Sequence, residues 1–439
     1  MTPSCDFYRE MMQCSSGLRD PGQTAFRNNI CGKLSSRQFQ VGGLSEGQRV
    51  NLTQHMMPRH PHQQIDFYRA RVFCGTYNRD GSMFISAVQD NRLYLYETSK
   101  FEKYKSIVGR DIGWSILDVV FSQDQYWFAY STWSPCIYVC NVYGEEENHY
   151  SLDLRPDTLD RFCVFSLRFS SDDKELITAC SDGYLYIYNR EICDRTLKID
   201  AHQDDADAVA LDDQSSHIIF SAGDDGLCKV WDRRCLSEAN PRPVGTLAGH
   251  KDGITFIDTK GDGRHLITNS KDQTIKLWDI RQFSQRDGIA ATLGEVQRQS
   301  WDYRWQDVPK RVMRDALVKL PGDSSVMTYA GHLVKHTLLR ARFSPPATTG
   351  QRYIYTACAK GRVVVYDTLT GEVVQTLMTD NYNCVCVRDV SWSPSQPGEL
   401  VSSSWDGLLQ LWIPHPRIRQ AGAGTTSSHE SAGTHSHII

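Results

Sequence analysis

The residue types of a hydrolytic triad occur together twice in this chain. His250, Thr268 and Asp272, with Trp278 six residues beyond the carboxylate, supply an imidazole, a hydroxyl, a carboxylate and an indole N–H. Upstream, the same set reads His202, Ser221, Asp225 and Trp231. A hydrolase needs one nucleophile, one base and one orienting acid, whereas a fold built from repeated units needs its internal bonds in each unit. Recurrence therefore favours a structural role. A buried imidazole bridging a carboxylate and a hydroxyl satisfies groups that would be costly alone, and it pins an outer loop to an inner turn. The chain has no GxSxG elbow, Walker loop, HExxH or paired-carboxylate motif, so neither an enzyme nor a cofactor is expected. His55, His60 and His62 in HMMPRHPHQQ invite a metal reading, but they stand among prolines with no cysteine or carboxylate spacing. A solvated loop without metal is expected there.

Seven segments carry these residues or their equivalents: 86–97, 131–141, 178–189, 221–232, 268–279, 356–367 and 402–413. Each is a small-residue strand, a tight turn and an alternating apolar strand. The turn position falls at Asp90, Ser134, Asp182, Asp225, Asp272, Lys360 and Asp406, and six residues later stand Tyr96, Cys140, Tyr188, Trp231, Trp278, Tyr366 and Trp412. The spacing is 43–48 residues except for one of 88 before the sixth segment, which fits four-stranded blades of about 40–45 residues with one long insertion. An all-β, seven-bladed propeller over residues 47–413 follows. Residues 282–325 form the insertion, and 47–53 (GQRVNLT) are expected to close the last blade as its outer strand. Residues 1–46 form an extension, partly disordered, and 414–439 a disordered tail. The sixth blade has His332 but Lys360 in place of the carboxylate, so it is expected to be looser or held by packing alone.

Composition narrows the partners. Lys plus Arg total 48 against 52 Asp plus Glu, which leaves no basic field for direct nucleic-acid binding. No apolar run is long enough for a membrane helix and the first residues lack a signal-peptide pattern, so an intracellular protein is expected. Fourteen cysteines are present without CxxC pairs. Cys136 and Cys140, like Cys384 and Cys386, are spaced to share a strand face, which suits buried reduced thiols.

Strand direction locates two further residues. In an antiparallel blade of strands a to d, the loop entering a and the b–c turn lie on one face, and the a–b and c–d loops on the other. Trp-Asp ends strand c in DRR (232–234) and DIR (279–281), so Arg234 and Arg281 are expected at the c–d face of adjacent blades. Each could pair with an acidic residue of its own blade, but two in neighbouring blades point to a docking surface. The insertion emerges beside Arg281 and holds Trp301, Tyr303 and Trp305 among charges. These aromatics either fold back on the propeller or anchor a partner on that side.

The residues that form these sets resemble the WD-repeat family. More specifically, 219–234 (IFSAGDDGLCKVWDRR) and 266–281 (LITNSKDQTIKLWDIR) are similar to the box, ending in WDxR, of WD-repeat substrate receptors of cullin-4 RING ubiquitin ligases. CGTYNRDG (74–81), DIGWSILDVVF (111–121), WDYRWQ (301–306), KLPGDSSVMTY (319–329) and VRDVSW (387–392) extend the resemblance into loops, from about residue 25 to 412. It implies that Arg234 and Arg281 contact the damaged-DNA-binding adaptor subunit, and through it cullin-4 and the RING protein. The opposite face would then receive a protein substrate or degron, with Arg388, Trp405, Asp224 and Lys271 as candidate contacts. It also implies a place in nucleus and cytoplasm. A generic WD-repeat interaction scaffold outside any ligase is the alternative.

Overall fold

The computed structural model describes residues 57–144, 148–155, 161–212, 216–378 and 385–414. The expected extension 1–46, the strand at 47–53 and the tail after 414 lie outside them. Seven four-stranded antiparallel sheets are present, six of them simple meanders. Blade 1 runs from Val72 to Val108, blade 2 from Ile116 to Asp153, blade 3 from Val164 to Asp200 and blade 4 from Ala206 to Leu247. Blade 5 runs from Ile254 to Ala330 and blade 6 from Ala341 to Met378. Blade 7 takes three strands from Val387–Ile413 and its outer strand from His60–Phe67, which pairs antiparallel with Leu408–Ile413. The innermost strands of neighbouring blades pack together around a central axis.

The closing strand is a correction to the expected 47–53. Four residues, 68–71, separate His60–Phe67 from strand a of blade 1 at Val72, so the connection is short, as most in compact domains are. Its sequence, HPHQQIDF, is polar and largely exposed. An outer strand needs no apolar alternation, and Pro61 is tolerated at an edge beside a bulge. His60 and His62 therefore belong to a strand, not a loop; His55 lies outside the described residues. The b–c turn of blade 7 admits this segment through Gly407, at φ 91°, where any Cβ would fall 1.9 Å from the Tyr68 carbonyl oxygen.

The core is a set of layers between blades. Each of seven buried apolar clusters draws on two adjacent blades, such as Ile187 and Ile199 of blade 3 with Val209 and Trp231 of blade 4. Trp231, Trp278 and Trp412, near the ends of their c strands, are among the largest fully buried side chains. In blade 5, His250 Nδ1 lies 2.9 Å from Asp272 and Nε2 2.6 Å from the Thr268 hydroxyl, which also accepts from Trp278 Nε1 at 2.7 Å. In blade 4, His202 meets Asp225 at 3.0 Å and Ser221 at 2.7 Å, and Trp231 donates to Ser221 at 2.9 Å. Blade 6 uses its histidine differently. His332 Nδ1 is 3.0 Å from the Tyr366 hydroxyl and Nε2 is 2.9 Å from Asn269 Oδ1 of blade 5. The blade with Lys360 is thus bonded to its neighbour, not held by packing alone.

The thiols Cys74, Cys140, Cys163, Cys180, Cys228, Cys358 and Cys386 are buried, Cys136 is half-buried, and Cys193 and Cys235 are exposed. Cys384 lies outside the described residues. Among the described residues no helix is long and apolar enough to cross a membrane, and no group of three or more His, Cys, Asp or Glu could hold a metal ion.

Candidate functional site: two faces of the propeller

The two arginines sit just beyond strand c of blades 4 and 5, on the c–d face. Arg234 Nε and Nη2 lie 2.9 and 2.6 Å from the two oxygens of Asp232, and its backbone N–H donates to the same carboxylate. Arg281 repeats this on Asp279 at 3.1 and 3.0 Å. The arginine beside it draws Asp232 down to about 2. Both arginine side chains nevertheless remain 68% and 62% exposed. Pairing within the blade and display to a partner are therefore compatible: the carboxylate holds each guanidinium in one orientation while leaving much of it in solvent.

The insertion does not stay on that side. Phe283 packs on Gly245 and Ser284 N–H donates to the Thr246 carbonyl at 2.9 Å, so the chain follows the outer strand of blade 4 toward the other face. Helix α1 (Arg286–Val296) ends over the b–c turn of blade 4, where a Cβ on Gly226 would meet Val296 at 2.7 Å. Trp301 Nε1 then donates to Asp252 at 2.9 Å, and the Tyr303 carbonyl accepts from His336 N–H at 2.8 Å. Asp252 and His336 belong to the loops entering strand a of blades 5 and 6. Trp301 and Tyr303 therefore do not stay beside Arg281 but fold back on the face opposite the two arginines, where the indole meets the Asp252 carboxylate and the Tyr303 ring meets Lys271. Trp305, 82% exposed, belongs to the turn Asp302–Gln306 on that face as well.

Lys271 is buried here. Its ammonium is paired with Asp224, lies 3.8 Å from Asp207, and stands 4.3 Å from the centroid of the Tyr303 ring. Burial alone would favour its neutral form, but the two carboxylates hold its pKa above the ordinary lysine value. It acts through Asp224 and Asp207 and is not a free contact. Trp405 leans on blade 1: its ring is 5.6 Å from Phe73, and Arg71 lies 4.6 Å above it.

These groups surround a cavity of about 390 Å³ at the mouth of the central channel. Six inner strands carry a register shift that skips their second residue: Phe73, Leu117, Phe165, Asp207, Thr255 and Arg388. A bulge re-aims a side chain without ending the sheet, and all but Thr255 line the cavity. Below it, Arg340 bridges Asp118 at 2.7 Å and Asp389 at 3.0 Å, with Arg168 on Asp118 and Arg342 on Asp389. That ionic plug gives the cavity a floor.

The candidates Arg388, Asp224 and Lys271 line the cavity, while Trp405 stands beside it. Missed were Trp114 and Trp133, 47% and 44% exposed, which form a T-shaped pair with centroids 5.8 Å apart. The readable signal was a large aromatic placed in a loop, at a d–a or b–c position, rather than in an alternating strand.

Four stretches, 158–189, 193–232, 241–279 and 371–412, match the WD domain, G-beta repeat family. The chain is 37% identical to a DDB1- and CUL4-associated factor 11 homolog of Caenorhabditis elegans, covering 95% of this chain and 79% of that protein. The corresponding homolog of Caenorhabditis briggsae is 36% identical, over 86% of this chain and 72% of that one. The LEC14B protein of Lithospermum erythrorhizon is 39% identical, over 86% and 81%.

Proposed function

We propose a function from one premise: the chain belongs to the family of DDB1- and CUL4-associated factor 11 homologs. It is a substrate-recognition subunit of a cullin-4 RING ubiquitin ligase, joined to the cullin through DDB1. The observation that carries this is a likeness extending over nearly the whole chain to a protein so named. The chain makes and breaks no bond itself. It works by proximity, raising the effective concentration of a bound substrate near the ubiquitin-loaded enzyme that the RING protein recruits.

The two faces divide the labour in this reading. Arg234 and Arg281, exposed and held in fixed forks, dock DDB1 at the c–d face. The opposite face, where the insertion builds one wall of the channel-mouth cavity, receives the substrate. Support comes from the fixed orientation of both guanidiniums, since a group already ordered loses less freedom on binding.

The test is the affinity of purified protein for DDB1, comparing wild type with Arg234→Ala, Arg281→Ala and the double variant, each checked by thermal melting. The double variant is expected to stay folded and to lose more than about 2 kcal/mol of binding free energy. A wild-type protein that does not bind DDB1 overturns the receptor reading; variants that all bind alike remove the docking role from both arginines.

A further inference from the structure

The walls of the channel-mouth cavity differ in chemistry. On the side of blades 4 and 5 stand Asp205, Asp207, Asp224 and Asp252, with Asp302 from the insertion; the cations lining the same space are Lys271, Arg304 and Arg388. Arg304 is committed to Asp302 in a two-pronged pair and Lys271 to Asp224. Lys271 also lies 3.8 Å from Asp207, whereas Asp205 and Asp252 have no ion pair among the described residues, and Arg388 is the remaining cation. Burial, reinforced by Asp224, pushes Asp205 up to about 6, burial pushes Asp252 up to about 6, and burial with Asp224 beside it raises Asp207 as well. The side is short of positive charge.

Two buried atoms of opposite sense support this independently. Asp207 Oδ2 accepts no hydrogen bond among the described residues, the Lys271 ammonium standing off at 3.8 Å, and Arg388 Nη1 donates none, although Arg388 Nε reaches the Thr337 hydroxyl at 3.1 Å. Both residues line the cavity and both are bulged toward it. Buried polar atoms in folded proteins are almost always paired, so such a couple marks a place completed by something else. The carboxylate calls for a donor, and the guanidinium for an acceptor such as a main-chain carbonyl.

Across from the carboxylates, blades 1 to 3 supply aromatic rings. Phe73 meets Trp114 at 5.2 Å and Trp133 meets Phe165 at 6.1 Å, with the Trp114–Trp133 pair between them. Exposed tryptophans facing acid groups across a cavity suit a cation carried on an apolar stem, which is attracted to the ring faces and to the carboxylates together.

We propose that this cavity binds a basic side chain, arginine or lysine, presented by an extended segment of the protein substrate. The cation sits between Asp207 with its neighbours and the Trp114–Trp133 wall, and a main-chain carbonyl of the segment accepts from Arg388. That the segment belongs to a substrate rests on the receptor reading above; the charge it must carry does not.

The test uses the full chain and fluorescein-labelled Gly-Ala-X-Ala-Gly peptides in which X is arginine, lysine, glutamine or glutamate, with DDB1 binding measured in parallel. The arginine or lysine peptide is expected to bind at least about tenfold more tightly than the glutamine peptide, and the glutamate peptide not at all. Asp207→Asn and Trp133→Ala should each weaken that binding while leaving DDB1 affinity unchanged. Trp133, 44% exposed, lies outside the buried core and keeps the test decisive if the buried Asp207→Asn variant fails to fold. Equal binding of the arginine, lysine and glutamine peptides, preference for glutamate, or indifference to Trp133→Ala would overturn the proposal. If DDB1 binds in those cases the receptor reading stands alone; basic-peptide binding without DDB1 binding leaves the pocket and removes the ligase.

Discussion

The Trp301 indole N–H donates to the Asp252 carboxylate at 2.9 Å, and with the Lys251 ammonium on the Asp315 carbonyl it ties the inserted segment to the loop that opens blade 5. Asp252 is half-buried, and its carboxylate's other hydrogen bond comes from the neighbouring Gly253 N–H. Trp301→Phe keeps most of the ring and removes the donor. It should release the insertion from the cavity, so limited proteolysis within 282–325 accelerates severalfold while global stability falls by only about 1–2 kcal/mol. Unchanged cleavage would mean that the remaining ties, among them Lys251 on the Asp315 carbonyl and Lys276 on Asp323, hold the segment without it.

His250 bridges Asp272 and Thr268 with every partner buried. His250→Ala removes the bridge, leaving Thr268 with Trp278 and Asp272 with the Lys251 and Thr274 donors, and should cost about 3 kcal/mol in denaturant unfolding. Because the three groups form one network, adding Thr268→Val should cost less than the two single losses combined. Strict additivity would refute the network.

Arg340 bridges Asp118 and Asp389, which are 1% and 0% exposed at their side chains. Arg340→Met removes the shared cation but leaves Arg168 and Arg342 on the same carboxylates. A loss of about 3 kcal/mol is expected, measured by unfolding. Replacement without cost would show that the flanking arginines suffice.

His332 gives a pH signature. Burial lowers its pKa from the ordinary 6.5 to about 4, so the folded protein keeps it neutral where the unfolded chain binds a proton. Its stabilisation is therefore fully present above about pH 6.5 and lost as pH falls toward 4, a difference of about 2 kcal/mol at pH 5. His332→Asn should be less stable than wild type at pH 7 and should close most of that gap by pH 5. A gap constant with pH would place a charged imidazole in the fold.

The blades were legible because turn carboxylate and strand-end aromatic recur six residues apart, a local chemistry each unit must repeat. The direction of the insertion was not. Trp301-Asp302-Tyr303-Arg304 folds into the same fork as the two blade ends, with Arg304 Nε 2.9 Å from Asp302 and its backbone N–H on the same oxygen, yet it lies on the opposite face. WDxR fixes a local geometry, and which face displays it is settled by distant partners such as Asp252. The closing strand was missed because an exposed edge carries no apolar alternation. The bulged second residues other than Arg388 were missed for a related reason: alternation shows which residues share a face only while the register is unbroken.

Ring closure also sets a timetable for synthesis. His60–Phe67 leaves the ribosome long before its partner Leu408–Ile413, and at about 5–20 residues per second the roughly 340 residues between them take on the order of 20–70 s. Throughout that interval blade 7 does not exist, and blades 1 and 6 each expose a flank that later becomes interior: Phe84 and Tyr96 on one side, Tyr355 and Val365 on the other. The nascent chain must be shielded until its last strand arrives, and a stop codon or frameshift late in the message leaves an open arc rather than a slightly shorter ring.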